Sequence, residues 1–140
     1  MTPAETTPAE TTPPETTRRV LLIDDDELIR EVAQVSLATV GGWEVLTACS
    51  GEEGLGTAAA ERPDAILLDV MMPGLDGPGT LARLQADPST VAIPVVFLTA
   101  KVRHSEQQRW TDLGAVGVLV KPFDPMLLAK QVAEVLGWSR

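Results

Sequence analysis

The sequence predicts an α/β fold: five strand-helix units in succession, closing into a five-stranded parallel sheet with helices on both faces. Three observations predict it. Short apolar runs, VLLI, AILL, VVFL and GVLV, recur along the chain, and a run of that length bounded by turn residues reads as a strand buried on both sides. Between them lie segments with apolar residues three or four positions apart, the spacing of a helix packed along one side. Each run also ends in polar residues: Asp24-Asp25-Asp26, Asp69, Thr99 and Lys121-Pro122. In a parallel sheet the carboxyl ends of the strands form the binding edge, so these side chains would converge there.

The elements follow in order. Strand one is Arg19 to Ile23, and helix one follows Asp26, with Leu28, Val32 and Val35 marking its apolar side and Gly41-Gly42 ending it. Strand two is Trp43 to Thr47. Ser50 then reads as an N-cap with Glu53 completing a capping box, and Leu55, Ala58 and Ala59 supply the buried side of helix two. Strand three is Ala65 to Leu68, and the turn-rich MMPGLDGPG leads into helix three around Leu81 and Leu84. Pro88 and Pro94 bracket the loop into strand four. Helix four lies near His104 to Leu113 and is closed by Gly114; strand five is Ala115 to Val120. Helix five starts with Asp124 as cap and Pro125 at the first helical position, and Met126, Leu127, Val132, Val135 and Leu136 run along its core side. The expected strand order is 2-1-3-4-5, a flavodoxin-like three-layer sandwich.

Length and composition bound the function. The 140 residues suffice for one domain with a sizeable core. A formal charge of −9 and a pI near 4.5 argue against a nucleic-acid backbone as the main partner, which would call for clustered Lys and Arg. The lone Cys49 excludes an internal disulfide and suits a reducing cytoplasm. No stretch has the length of a membrane span and the start has no export signal, so a cytoplasmic protein with no membrane contact is expected. Residues 2–16 are three tandem pentapeptides, TPAET, TPAET and TPPET. Lacking aromatic and long aliphatic groups, residues 1–17 are expected to form a disordered tail before a single domain over 18–140.

Carboxylates crowded at one edge repel one another unless a cation lies between them. All-oxygen ligands without His or Cys favour Mg²⁺, which binds through one or two carboxylates, water and a phosphate oxygen. Lys121 adds an ammonium able to pair with a carboxylate and then a phosphoryl oxygen, and Thr99 adds a hydroxyl donor. Taken singly, each has a plain explanation as a cap, a strand former or a solvated charge. Taken together at one edge, they point to metal and phosphate chemistry.

Four segments, VLLIDDDE, LLDVMMPGLDG, FLTAK and VKPFD, make the chain from Arg18 to about Gly137 resemble the receiver domain of bacterial two-component response regulators. The chemotaxis response regulator belongs to that family. The resemblance implies that Asp69 is the phosphoacceptor. It also implies that Asp24, Asp25, Asp69 and the backbone carbonyl of Met71 hold Mg²⁺, with Thr99 and Lys121 contacting the phosphoryl group. Asp26 is read as a helix cap, and the Lys121-Pro122 bond resembles one that is typically cis. Met71 and Lys101 match positions that tune phosphoryl lifetime in relatives. The implied partners are a sensor histidine kinase or histidine phosphotransfer protein, and a downstream protein reading the face of helix four, strand five and helix five. A monomer or a phosphorylation-dependent dimer is implied. The protein would be a signalling phosphoacceptor that catalyses its own phosphorylation and dephosphorylation, and no ordinary enzyme.

Two features qualify the match. Val118 stands where many receivers carry Tyr or Phe, so a switch based on that ring is not expected here. Trp110 on helix four reads equally as a partner-facing aromatic or a packing residue, and His104 as a polar residue near the helix start. Other classes fit less well. A haloacid-dehalogenase-type phosphohydrolase needs a DxDx(T/V) motif that Asp24-Asp25-Asp26-Glu27-Leu28 lacks. A flavodoxin-like cofactor binder would set phosphate against three aspartates, and a phosphorylation-independent pseudo-receiver would not need the full polar set. With the sequence ending at Arg140, just after helix five, a stand-alone receiver acting through protein contacts is the expectation, an intermediate in a phosphorelay being the less specific form of it.

Overall fold

The computed structural model describes residues 17–100 and 104–138. The pentapeptide repeat and Lys101 therefore lie outside the described residues. Ten elements alternate without interruption: β1 (Arg19–Ile23), α1 (Glu27–Thr39), β2 (Glu44–Ala48), α2 (Gly51–Glu61), β3 (Ala65–Asp69), α3 (Gly77–Ala86), β4 (Val95–Thr99), α4 (His104–Asp112), β5 (Gly117–Val120) and α5 (Leu128–Leu136). All strands pair in parallel, in the order β2-β1-β3-β4-β5. The expected 2-1-3-4-5 sandwich is the observed one.

Side chains alternate across a strand, so each apolar run feeds both faces of the sheet. Leu21, Ile23, Ile66, Leu68 and Phe97 point to one face, where Ala58 of α2, Leu81 and Leu84 of α3 and Trp110 of α4 cover them. Val20, Leu22, Leu67, Val96, Leu98 and Leu119 point to the other, covered by Ala33 and Leu37 of α1 and by Leu128, Ala129 and Val132 of α5. The central strands β3 and β4 are buried along their whole length, whereas the edge strands β2 and β5 are not, which explains their weaker apolar pattern.

The helices depart from expectation in three places. In α1 the inward residues are Ala33, Ser36 and Leu37, while Leu28 and Val35 lie on the solvent side, 66% and 63% exposed. Small residues let the helix lie close to its neighbours, and Ser36 donates a hydrogen bond to the Pro125 carbonyl ahead of α5. Helix α5 begins at Leu128, one turn later than expected. Asp124 instead caps the preceding turn, its side chain accepting from the Met126 N–H at 2.9 Å, and Met126 and Leu127 face solvent. Pro125 opens that turn and not the helix. The capping box on α2 is shifted too: Ser50 accepts from the Glu53 N–H at 3.0 Å, but Glu53 reaches back to the N–H of Cys49, at 2.6 Å. Strand boundaries move by one residue at β2 and by two at the start of β5, where Ala115 and Val116 are still connector.

Candidate functional site

The site is assembled by register. Asp69 pairs with Leu98 and Thr99 with Val120, while the Asp24 N–H continues the β1-β2 ladder to the Ala48 carbonyl and the Lys121 N–H continues the β4-β5 ladder to Thr99. Counting by alternate residues places Asp24, Asp69 and Lys121 on the α1/α5 side, in line with Leu22, Leu67 and Leu119. Thr99 falls on the opposite side, in line with Phe97. The four strand ends thus approach the mouth from both sides of the sheet.

Carboxylate oxygens of Asp24, Asp25 and Asp69 lie within 4.8 Å of one another, and Asp24 and Asp69 are buried while Asp25 is exposed. Such a set could hold a hard divalent cation, since every donor is an anionic oxygen. Lys121 Nζ sits between the two buried acids, donating to Asp24 Oδ2 at 3.0 Å and Asp69 Oδ1 at 3.1 Å. The Met71 N–H also donates to Asp69 Oδ1, at 3.3 Å, and among the described residues none donates to Oδ2. Asp24 Oδ1 accepts from the Asp26 N–H at 2.9 Å. Asp26 itself caps α1, accepting from the N–H groups of Leu28 and Ile29. The Lys121-Pro122 peptide bond is cis.

The electrostatics follow from this crowding. Burial, and then repulsion from Asp24, raise the Asp69 pKa from 3.8 to about 6, against the lowering pull of Lys121 and the Met71 N–H. Burial would lower the Lys121 pKa, but its hydrogen bond and attraction to Asp24, together with Asp69, outweigh that and raise it. A carboxylate whose pKa is higher folded than unfolded weakens folding. That penalty is absent below about pH 4, where both states hold the proton, and complete above about pH 6. Asp69→Asn keeps the shape without the charge, and Lys121 keeps Asp24. The variant is therefore expected to melt a few degrees above wild type at neutral pH in chelator, an effect of order 1 kcal/mol. The gap should close toward pH 4 and narrow with millimolar Mg²⁺; a gap independent of pH would refute the electrostatic origin.

Some contacts at the site have no counterpart in the motif reading. Arg30 reaches back along α1 to donate to the Asp24 carbonyl at 2.8 Å, a spacing of six residues that no helical pattern announces. Asp76 caps α3, accepting from the Gly79 N–H at 2.8 Å. The Asp-Gly-Pro sequence there, with Pro near the first helical position, was a usable sign of it. Thr99, Met71 and Val70 border a cavity of about 440 Å³, whose far wall is Glu106, Arg109 and Trp110 of α4. Trp110 is 7% exposed and packs edge-on against Phe97 at 5.3 Å, so it is a core residue and not a partner-facing one.

The response regulator receiver domain family matches residues 20–133. Among solved structures, the chemotaxis protein CheY4 of Vibrio cholerae is 34% identical with a TM-score of 0.79, over 85% of this chain and 98% of that one. The N-terminal domain of a response regulator receiver protein from Methanoculleus marisnigri is 36% identical with a TM-score of 0.69, over 87% of this chain and 98% of that one. Response regulator PleD of Caulobacter vibrioides is 40% identical over 114 residues, which are 81% of this chain and 25% of PleD. The alkaline phosphatase synthesis transcriptional regulatory protein PhoP of Bacillus subtilis is 36% identical over 119 residues, 85% of this chain and 48% of PhoP. The chain thus spans half or less of these longer relatives. No helix among the described residues is long and apolar enough to cross a membrane.

Proposed function

The chain belongs to the response regulator receiver domain family of two-component signalling, and from that premise we propose that Asp69 accepts a phosphoryl group from a phosphohistidine donor in a Mg²⁺-dependent reaction. The observation that carries this reading is Lys121 Nζ held between the buried carboxylates of Asp24 and Asp69. A half-buried lysine shared by two acids is a poised cation: it needs only a small displacement to follow negative charge onto an incoming phosphoryl oxygen.

In this mechanism Asp24, Asp25, Asp69 and the Met71 carbonyl would hold Mg²⁺, whose charge would offset the repulsion between the acid cluster and the entering phosphoryl group. Asp69 Oδ2, the oxygen without a donor among the described residues, attacks phosphorus in line as the bond from phosphorus to the histidine nitrogen breaks. The new bond is an acyl phosphate. Because the transition state is loose, positioning and charge stabilisation do most of the work, and Lys121 and the Thr99 hydroxyl supply the donors. The same groups, with water as nucleophile, carry the slow loss of the phosphoryl group. Once formed, the dianion favours whichever arrangement offers it more donors, and this shift is the output. The partners are a sensor histidine kinase or phosphotransfer protein, and a cytoplasmic protein target reading the face of α4, β5 and α5. The chain's acidity argues against direct nucleic-acid contact by this domain.

The test is an intact-mass measurement after incubation with Mg²⁺ and a small acyl phosphate. Wild type should gain one phosphoryl group that hydroxylamine removes, and Asp69→Asn or chelated wild type should gain none. A labile gain in Asp69→Asn would place the acceptor elsewhere. No gain in wild type, even with a cognate kinase, would make the domain a phosphorylation-independent interaction module.

A further inference from the structure

The three acids of the site are unequally held. Lys121 Nζ donates to both Asp24 and Asp69, and each also accepts from a backbone N–H, that of Asp26 for Asp24 and that of Met71 for Asp69. Asp25 is exposed, and among the described residues nothing donates to its carboxylate. One of its oxygens nevertheless lies within 4.8 Å of oxygens of the other two. The position of Asp25 is therefore set by the backbone that carries it, at the bend between β1 and α1.

Arg30 holds that backbone on both sides of Asp25. Its own N–H donates to the Asp26 carbonyl at 3.0 Å, an ordinary bond of the first helical turn. Its guanidinium turns back to donate to the Asp24 carbonyl at 2.8 Å, which no helix requires. That carbonyl belongs to the peptide joining Asp24 to Asp25. The Asp24 N–H, one peptide earlier, is already fixed in the sheet ladder to the Ala48 carbonyl at 3.1 Å. With Arg30 in place, the chain entering Asp25 is anchored to β2 and then to α1. Glu27 and Glu31 share the helix with Arg30, yet among the described residues Arg30 forms no ion pair, and its charge-assisted hydrogen bond goes to the backbone.

Two effects of Arg30 on a divalent cation at the mouth oppose each other. As a charge it repels the cation, so its removal would tighten binding. As a tether it restricts the Asp24-Asp25 peptide to one orientation, so its removal would weaken binding. The guanidinium is half-buried, and solvent and salt screen the charge effect, whereas the hydrogen bond acts directly on the chain. The tether should win. We propose that Arg30 is a positioning residue for the metal site, fixing the Asp24-Asp25 peptide so that the Asp25 carboxylate faces the buried pair. The inference rests on the reading of Asp24, Asp25 and Asp69 as Mg²⁺ ligands and adds to it a residue outside the acid cluster.

Amide NMR titration of the full chain with Mg²⁺ alone tests this without any phosphodonor. Arg30→Met keeps most of the stem but neither charge nor donor, and should bind Mg²⁺ about tenfold more weakly than wild type, the lower end for loss of a group that orients a metal ligand. Arg30→Lys keeps the charge and a donor and should fall between them. In an Asp25→Ala background, Arg30→Met should cause no further loss, because the residue through which it acts is gone. Tighter binding in Arg30→Met would mean that its charge, and not its hydrogen bond, governs the site. Unchanged affinity in a folded Arg30→Met or Arg30→Lys protein, or the same tenfold loss in the Asp25→Ala background, overturns the role of Arg30 alone. Wild type that binds no Mg²⁺ at tens of millimolar overturns the metal site and the role of Arg30 with it.

Discussion

Lys121→Ala is expected to destabilise the metal-free protein by about 3 kcal/mol and to make it the variant that Mg²⁺ rescues most. Lys121 is the cation shared by two carboxylates that are almost wholly out of solvent, Asp24 at 0% and Asp69 at 3% exposure. Removing one partner of a buried ion pair costs about 3–5 kcal/mol, because the remaining charge stays buried without compensation. The Lys121 side chain is 17% exposed, so some screening by water already operates and the lower end applies. The sign with pH follows from the acids. Without Lys121 the Asp69 pKa, already raised to about 6, rises further, so the loss of stability should be largest at neutral pH and shrink as acidification protonates the carboxylates. Urea unfolding in chelator and in saturating Mg²⁺, at about pH 5 and about pH 7.5, measures all of this. Lys121→Ala matching wild type in chelator at the higher pH would mean that the ammonium does not hold the two acids.

The strand ends were legible because burial on both faces leaves few options. A strand such as AILLD or VVFLT shows its polarity only where it leaves the core, so Asp69 and Thr99 stand out against four apolar neighbours. Convergence of those ends followed from parallel topology alone. The helices were less legible for an equally physical reason. Helix α1 carries apolar residues on two sides, and spacing cannot tell which side packs; the small Ala33 and Ser36 faced inward because close approach to the sheet and to Pro125 favoured little volume over more surface. The start of α5 was misplaced because Asp-Pro is as good a turn as it is a helix start, and the Asp124 side chain served the turn. Trp110 was open between surface and core since an aromatic on a short helix suits either, and only the Phe97 contact decides. The Arg30 contact with the Asp24 carbonyl had no sequence sign, being set by how α1 leaves β1.

Gly77→Ala and Gly56→Ala should move stability in opposite directions, although both place the same methyl group in a helix. Propensity alone favours alanine over glycine by about 1 kcal/mol in a helix interior, and at Gly56 of α2 nothing lies within 4 Å of the added carbon. Gly56→Ala is therefore expected to stabilise by about 0.5–1 kcal/mol. Gly77, the first residue of α3, is different. A Cβ there would lie 2.6 Å from the Asp69 carbonyl oxygen, 2.7 Å from Val70 Cα and 3.1 Å from the Phe97 ring. Two of those three are backbone atoms at the end of a fully buried central strand, and the Gly77 N–H is itself tied to the Val70 carbonyl at 3.0 Å. Relief must come from moving the helix off the strand or the strand end off its register, which costs about 1–3 kcal/mol and outweighs the propensity gain. The strand end in question carries Asp69, so the displacement should also slow phosphorylation from a small acyl phosphate, by about tenfold for each 1.4 kcal/mol of lost positioning. Gly56→Ala, far from the mouth, should leave that rate unchanged. Chemical denaturation and the time course of intact mass test the pair together. A Gly77→Ala protein as stable and as fast as Gly56→Ala would show that α3 can retreat from β3 without disturbing Asp69, and would break the proposed dependence of the acceptor's position on the closeness of that helix.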